Sequence, residues 1–426
     1  MTGLHFNAIT NESGPHTACL HGALAGGDGA PLVTPIVQST TYCRDGVGSD
    51  ATHQYSRCSN PTVSALEHAL SVLEGESVVR EGGTACFATG LAAEAALFHA
   101  LLASGDHVVC GRSVYGGTTR LLRDLLGGLG ISSTFVDATD TQGVIDAVRP
   151  ETRLVFLETP ANPTLELTDL QAVSDGVRTR SAELSDRGVV VAVDNTFLTP
   201  VLQRPLELGA DVSVYSTTKF IEGHSAALGG ALVTADPELL EKFVWVRKCT
   251  GAIQNPLGAW TTLQGLKTLP IRLHRQSSTA ARLAEWLLTR DEVASVRYPG
   301  LAEGEQARLA RAQHRPLDGS RLHGAVVTIE LAGGLDAARR LLGSLRLCRF
   351  VEHVGSVETL VTHPATMTHA DVPRDQRIEA GLTDGLLRIS VGLEEPEALL
   401  ADWQQGLDAA GETDDEAREE AEACVA

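Results

Sequence analysis

The chain has 426 residues, 43 % of them hydrophobic and 21 % charged, a balance that supports more than one core and excludes a small module or a largely disordered protein. With 34 basic against 54 acidic residues the formal net charge is −20, which speaks against a broad surface for nucleic acid. Polar residues follow Met1, with no basic n-region and no long apolar segment, so neither a signal peptide nor a membrane span is expected. Eight cysteines lie at 19, 43, 58, 86, 110, 249, 348 and 424 without a CxxC pair. They suggest no metal cage, and free thiols in a reducing cytoplasm are the simplest reading.

Residues 1–63 are rich in Gly, Thr, Ser and Pro without a sustained period and predict an extended arm, of the kind that often crosses to another subunit. Over 64–260, helical segments alternate with the apolar runs 107–110, 154–157, 189–193, 212–214 and 231–233. Such β-branched runs are strands buried on both faces, so a mainly parallel α/β sheet is predicted. Residues 261–410 mix a long helical stretch with the strand-like runs 324–331 and 386–391, which predicts a smaller α+β domain. The tail, 411–426, holds seven acids and one arginine and reads as a frayed helix or solvated segment without a catalytic role.

In a parallel α/β sheet, ligands gather outside the carboxyl ends of the strands. The run 189–193 ends in Asp194-Asn195-Thr196, and 212–214 leads through Tyr215 into Ser216-Thr217-Thr218-Lys219. Alone, Asp194 reads as a turn cap and Lys219 as a surface charge. Only four lysines occur, at 219, 242, 248 and 267, so one retained among strand-end hydroxyls attracts notice. A desolvated lysine can lose its proton and form an imine, which arginine cannot. Upstream, Thr89-Gly90-Leu91 opens an alanine-rich helix whose free N–H groups would suit an anion. Ser216 and Thr218, two residues apart on a strand-like segment, would project to one side and add hydroxyls to the same anion. With Tyr115 as an aromatic face, these features fit pyridoxal 5′-phosphate, whose protein contacts are a phosphate site, a carboxylate for the ring nitrogen and a lysine for the Schiff base. No GxGxxG follows the first strand and no GxxxxGK[ST] occurs, which disfavours a nucleotide-binding enzyme.

Six segments, Tyr55-Ser56-Arg57-Cys58-Ser59-Asn60-Pro61-Thr62, Tyr115-Gly116-Gly117-Thr118, Glu158-Thr159-Pro160-Ala161-Asn162-Pro163, Asp194-Asn195-Thr196-Phe197, Ser216-Thr217-Thr218-Lys219 with Gly223-His224, and 363–369, resemble the Cys/Met-metabolism family of pyridoxal-phosphate enzymes. The resemblance runs from about residue 15 to residue 408. It implies the transferase fold type I, aspartate aminotransferase-like, with a large mainly parallel sheet and a smaller C-terminal domain. It further implies Lys219 as the Schiff-base lysine, Asp194 on the pyridine nitrogen, and Tyr115 stacked on the ring with Thr196 as a second ring contact. Gly90, Leu91, Ser216 and Thr218 would be phosphate donors. Tyr55 and Arg57 would reach the phosphate of a neighbouring subunit, hence a dimer with shared sites and typically a tetramer. Arg388 would hold the substrate carboxylate, with Asn162 beside it.

Family members differ in reaction. Gly117 stands where methionine γ-lyases usually have cysteine, whereas Glu352 matches a glutamate common in cystathionine-handling enzymes. His353 replaces a serine that in the family helps to position the lysine, Ala226 an aspartate, and Gln264 an arginine. The resemblance implies γ-elimination on a sulfur amino acid such as cystathionine or methionine, with Tyr115, its pKa lowered by neighbouring cations, as acid or base at the leaving sulfur. The alternative is γ-replacement on an O-acylhomoserine. A catalytically silent relative that keeps the cofactor is a third reading. Glu352, His353, Asn162 and Arg388 form the expected substrate set.

Overall fold

A computed structural model of the chain describes residues 14–23, 26–370, 372 and 374–411. The start of the expected arm and the acidic tail from 412 lie outside the described residues. The described arm holds the short helix Pro15–His21 and an isolated bridge between Thr41 and Tyr55. It runs into the helix Pro61–Glu74, where Asn60 Oδ1 accepts from Thr62 N at 2.9 Å and Pro61 occupies the first turn. A capping side chain satisfies one free N–H there, and proline has no N–H to leave unpaired.

Seven strands form the large sheet: β1 (Gly83–Phe87), β2 (His107–Gly111), β3 (Ser132–Val136), β4 (Thr152–Glu158), β5 (Val190–Asp194), β6 (Val212–Tyr215) and β7 (Gly230–Thr234). Their order is β1-β7-β6-β5-β4-β2-β3. Strands β2 to β6 pair in parallel, whereas β7 is antiparallel to both β1 and β6. Alternate side chains enter cores on opposite faces: Leu154 and Phe156 of β4 on one, Val155 and Leu157 on the other. That two-sided burial explains the unbroken apolar runs in the sequence.

The C-terminal part adds β8 (Val293–Arg297), a small hairpin of β9 (Pro316–Leu317) and β10 (Ser320–Arg321), then β11 (Val326–Leu331), β12 (Arg349–Phe350), β13 (Leu360–Thr362) and β14 (Leu386–Ser390). Apart from the hairpin these strands form a second sheet in the order β12-β13-β14-β11-β8. Val327, Ile329, Leu387 and Ile389 pack there against Leu341, Leu399, Trp403 and Leu407 of the helices Gly334–Ser344 and Pro396–Gly411. The second sheet docks on the loop after β4, where Thr328 Oγ1 donates to Pro163 O at 2.6 Å. No helix among the described residues is long and apolar enough to cross a membrane.

Candidate active site

Polar side chains collect at one edge of the large sheet. β4 closes on Glu158 and β5 on Asp194, register partners in adjacent strands, while β6 leads into residues 216–219. Beyond β1, Thr89 caps the helix Gly90–Leu101 by accepting from Ala92 N at 2.9 Å. The antiparallel β7 brings its amino end to this edge, so Leu228, just before it, joins the wall. A Cβ at Gly90 would stand 2.8 Å from Ser216 Cβ; only glycine lets the helix start lie flush against the segment carrying Lys219. The N–H groups of Gly90 and Leu91 have no acceptor inside the helix.

These elements and β14 enclose a cavity of about 340 Å³. Its walls include Gly90, Leu91, Tyr115, Asn162, Asp194 and Thr196, and, across from them, Ser216, Thr218, Lys219, Glu352 and Arg388. Residues far apart in sequence are thus brought together. Tyr55, Arg57 and His353 are not in this wall. Arg57 lies over the Tyr55 ring at 5.4 Å and donates from Nη1 to Lys248 O at 2.5 Å, on the exposed arm. His353, expected in the substrate set, lines a cavity that adjoins this one at Lys219 and Glu352, and its Nδ1 is 3.2 Å from Lys219 Nζ.

Burial and the Arg388 guanidinium push the Lys219 amine down to about 8, against the opposing pull of Glu352 and Asp194. Asp194 Oδ1 accepts from Thr196 N at 2.8 Å, and burial raises its carboxyl to about 6 despite that bond and the Lys219 charge. Arg388 is buried; it donates to Asn162 Oδ1 at 2.9 Å and to His353 O and Thr362 Oγ1, each at 3.1 Å. Thr218 Oγ1 both donates to Gly229 O at 3.0 Å and accepts from Gly229 N at 2.9 Å. The ring of His353 is held down to about 4 by burial, then by the charges of Lys219 and Arg388, so it is neutral near pH 7.

One expectation is corrected. The Tyr115 hydroxyl is raised, not lowered: burial comes first, then the Glu352 charge, and with Glu94 these outweigh Arg120 and Arg388. Two acids of the site were given no role from the sequence. Glu158 Oε2 accepts from Tyr115 N at 2.7 Å, and burial together with the Asp194 charge holds its carboxyl well above the usual range. Glu94 accepts from Thr118 Oγ1 at 2.7 Å and is pushed up to about 8 by burial and by Asp194. The available signal was a lone carboxylate ending or interrupting an apolar run.

An amine and a carboxylate close enough to shift each other, beside a helix start with unpaired N–H groups, fit the aldehyde, ring nitrogen and phosphate of pyridoxal 5′-phosphate. The family model described as Cys/Met metabolism PLP-dependent enzyme matches residues 17–408. The chain is 39 % identical over 393 residues to cystathionine gamma-lyase of Bacillus subtilis, covering 92 % of this chain and 98 % of that one. It is 39 % identical over 398 residues to cystathionine gamma-synthase of Mycobacterium bovis, covering 93 % and 97 %. The crystal structure of cystathionine gamma-lyase from Lactobacillus plantarum complexed with L-serine superposes with a TM-score of 0.86 at 32 % identity, covering 93 % of this chain and 99 % of that one. The fold and site define a fold type I pyridoxal-phosphate enzyme acting on amino acids. The chain belongs to the Cys/Met metabolism family of PLP-dependent enzymes.

Proposed function

We propose that the enzyme catalyses γ-elimination on a sulfur amino acid such as cystathionine or methionine, consuming water and giving a thiol, 2-oxobutanoate and ammonia. The observation that carries this reading is the convergence of Lys219, Asp194 and Arg388 on one cavity with Glu352 in its wall. Pyridoxal phosphate supplies an electron sink for negative charge developing beside the substrate amine. Lys219 would hold the cofactor, Asp194 would pair with its ring nitrogen, and Tyr115 and Thr196 would lie against its ring. Its phosphate would be held by the N–H groups of Gly90 and Leu91, by the Ser216 hydroxyl, by Thr218 once its hydroxyl turns from Gly229 O, and by Tyr55 and Arg57 of a neighbouring subunit.

The substrate carboxylate lies on Arg388, a bidentate partner that Asn162 orients. Lys219, with its amine near 8, takes the proton from Cα and passes protons between carbons. His353 Nδ1 accepts from that amine and aims it. Tyr115 keeps its proton at neutral pH, because its pKa is raised, and so serves as the acid that protonates the departing thiolate. Glu352 favours cystathionine by receiving its distal ammonium. The active unit is a homodimer with shared sites that pairs into a tetramer. We place the enzyme in the cytoplasm, a location supported by the unpaired state of the described cysteines.

γ-Replacement on an O-acylhomoserine is the second reading, favoured by the likeness to cystathionine gamma-synthase. Incubation with methionine, cystathionine and O-acylhomoserine, with and without cysteine, separates the two. Release of 2-oxobutanoate from a thioether supports elimination, and accumulation of only a thioether product refutes it.

A further inference from the structure

The segment 363–369 carries part of the family resemblance but has no part in the chemistry so far. It follows β13 directly and is itself held at its start, where the His363 ring lies between Thr366 Oγ1 at 2.8 Å and Asp384 O at 2.9 Å. Its last two residues pack on the loop that carries Tyr115. A Cβ at Gly116 would stand 2.4 Å from Thr368 O, so only glycine admits that contact. His369 is buried beside it, with Nδ1 2.8 Å from Thr368 Oγ1.

Burial, then the Arg388 charge, hold the His369 ring down to about 4. The ring is thus neutral near pH 7, with one acceptor and one donor nitrogen. Nδ1 accepts from the Thr368 hydroxyl, which leaves the proton on Nε2. The ring also hydrogen-bonds to the Val114 backbone, a contact that pulls its pKa up. A bond that favours the protonated ring is one in which the ring donates, so the Val114 carbonyl is the acceptor.

Three consecutive residues are therefore gripped from outside their loop: Val114 by His369, Tyr115 through its N–H by Glu158 Oε2 at 2.7 Å, and Gly116 by the Thr368 carbonyl. The Tyr115 ring folds back over Gly117, where a Cβ would stand 2.3 Å from Cε1. Its hydroxyl, by contrast, makes no hydrogen bond with a described residue. The grip on the backbone is what places that hydroxyl. A general acid works only within hydrogen-bond reach, and a misplacement of about 1 Å costs about 100-fold.

We propose that His369 is a positioning residue for the acid of carbon–sulfur cleavage: it holds the Val114 carbonyl while the Thr368 carbonyl seats Gly116, and so sets where the Tyr115 hydroxyl stands over the cavity. The proposal rests on the reading of Tyr115 as the acid that protonates the departing thiolate. When the C–S bond breaks, both electrons go to sulfur, and sulfur takes the phenolic proton. A departing carboxylate needs no such proton, since its conjugate acid has a pKa of about 4, against about 8.5 for a thiol such as cysteine. His369 therefore matters for a thioether and little for an O-acylhomoserine.

The test reads 2-oxobutanoate release by the holoenzyme from L-methionine and from O-acetyl-L-homoserine. His369→Phe, which keeps a ring but neither polar contact, is expected to lower kcat on methionine about 10- to 100-fold with KM little changed. On O-acetylhomoserine its kcat should stay within about twofold of the wild type. His369→Gln, whose amide can donate to the same carbonyl, should recover part of the loss. His369→Leu repeats the measurement if the larger ring is not accommodated. Tyr115→Phe should show the same dependence on the leaving group, and adding His369→Phe to it should change the methionine rate by less than about twofold, because residues acting through one step are not additive. Equal losses on both substrates, or a loss that persists in the Tyr115→Phe background, overturn the proposal. Tyr115→Phe with wild-type rates on both substrates refutes the acid reading and the proposal with it. Tyr115→Phe slow on methionine alone, beside unimpaired His369 variants, sinks only the proposal. If the wild type releases no 2-oxobutanoate from a thioether, the elimination reading fails, and the double-variant comparison on thioether synthesis from O-acetylhomoserine and cysteine decides the proposal.

Discussion

At the scale of single residues, the controlling quantity is the proton on Lys219. Its amine is pushed down to about 8, chiefly by burial and then by Arg388, so the neutral, nucleophilic form accumulates as pH rises through that value. The rate at which the apoprotein gains its visible band with added pyridoxal phosphate should therefore climb through the same midpoint. Glu352→Gln removes a charge that holds the proton on, so the midpoint should fall. Arg388→Met removes one that drives it off, so the midpoint should rise; midpoints that stay put in both variants contradict the electrostatics. His353 gives a second prediction. A histidine that contacts substrate should raise KM when lost, but one that aims the amine should lower kcat. With Nδ1 at 3.2 Å from Lys219 Nζ, His353→Leu should reduce kcat roughly tenfold with KM little changed, as expected for one hydrogen bond to a charged or charging group. His353→Asn, which returns a short side-chain acceptor, should recover part of the rate. The sequence placed this histidine near the site through the neighbouring glutamate, but its target depends on backbone that no local pattern reveals. Gly355 has φ +86°, and a Cβ there would stand 2.5 Å from Phe220 N and 2.8 Å from Lys219 C, so the loop can press onto the lysine segment only with glycine at that turn.

At the scale of elements, legibility followed burial. Strands β2, β4, β5, β6 and β7 carry unbroken apolar runs because both of their faces are covered, and their ends exposed Asp194 and Lys219 as candidates. β3 sits at the sheet edge and is only partly buried, and β1 mixes glycine and threonine with cysteine; neither has a run to detect. β12, two exposed residues, has no sequence signature at all, yet it forms one edge of the second sheet. Its position depends on a tertiary contact: the buried Asp402 carboxylate accepts from the N–H groups of Arg346 at 2.8 Å, Leu347 at 3.0 Å and Cys348 at 3.3 Å. Asp402→Ala would leave these donors without their carboxylate acceptor, at a cost of about 3 kcal/mol. Urea unfolding should register that loss, and stability within experimental error of the wild type would mean that the turn before β12 is held by something else.

At the scale of the whole molecule, Tyr55 and Arg57 are the residues expected at the cofactor phosphate that this chain's own cavity leaves out. They lie on an arm that also exposes Leu32, Val33 and Ile36, and exposed apolar side chains of this kind on an otherwise well-packed chain mark a surface for a partner. If the arm completes the cavity of a second copy, Arg57→Ala and Lys219→Ala damage complementary halves of each site, and each homogeneous variant should be severely impaired. In a mixed dimer, one cavity receives Lys219 from the first chain and Arg57 from the second and is intact, while the other carries both lesions. Random reassembly of equal amounts should then restore about a quarter of wild-type activity, the share of intact sites when half of the dimers are hybrids and each hybrid has one good site. Were the arm to serve its own chain's cavity, every site in the mixture would carry one lesion and mixing would restore nothing. The two variants should be mixed after each has been shown to keep the wild-type oligomer size, so that failure to recover activity reports on the arm rather than on assembly.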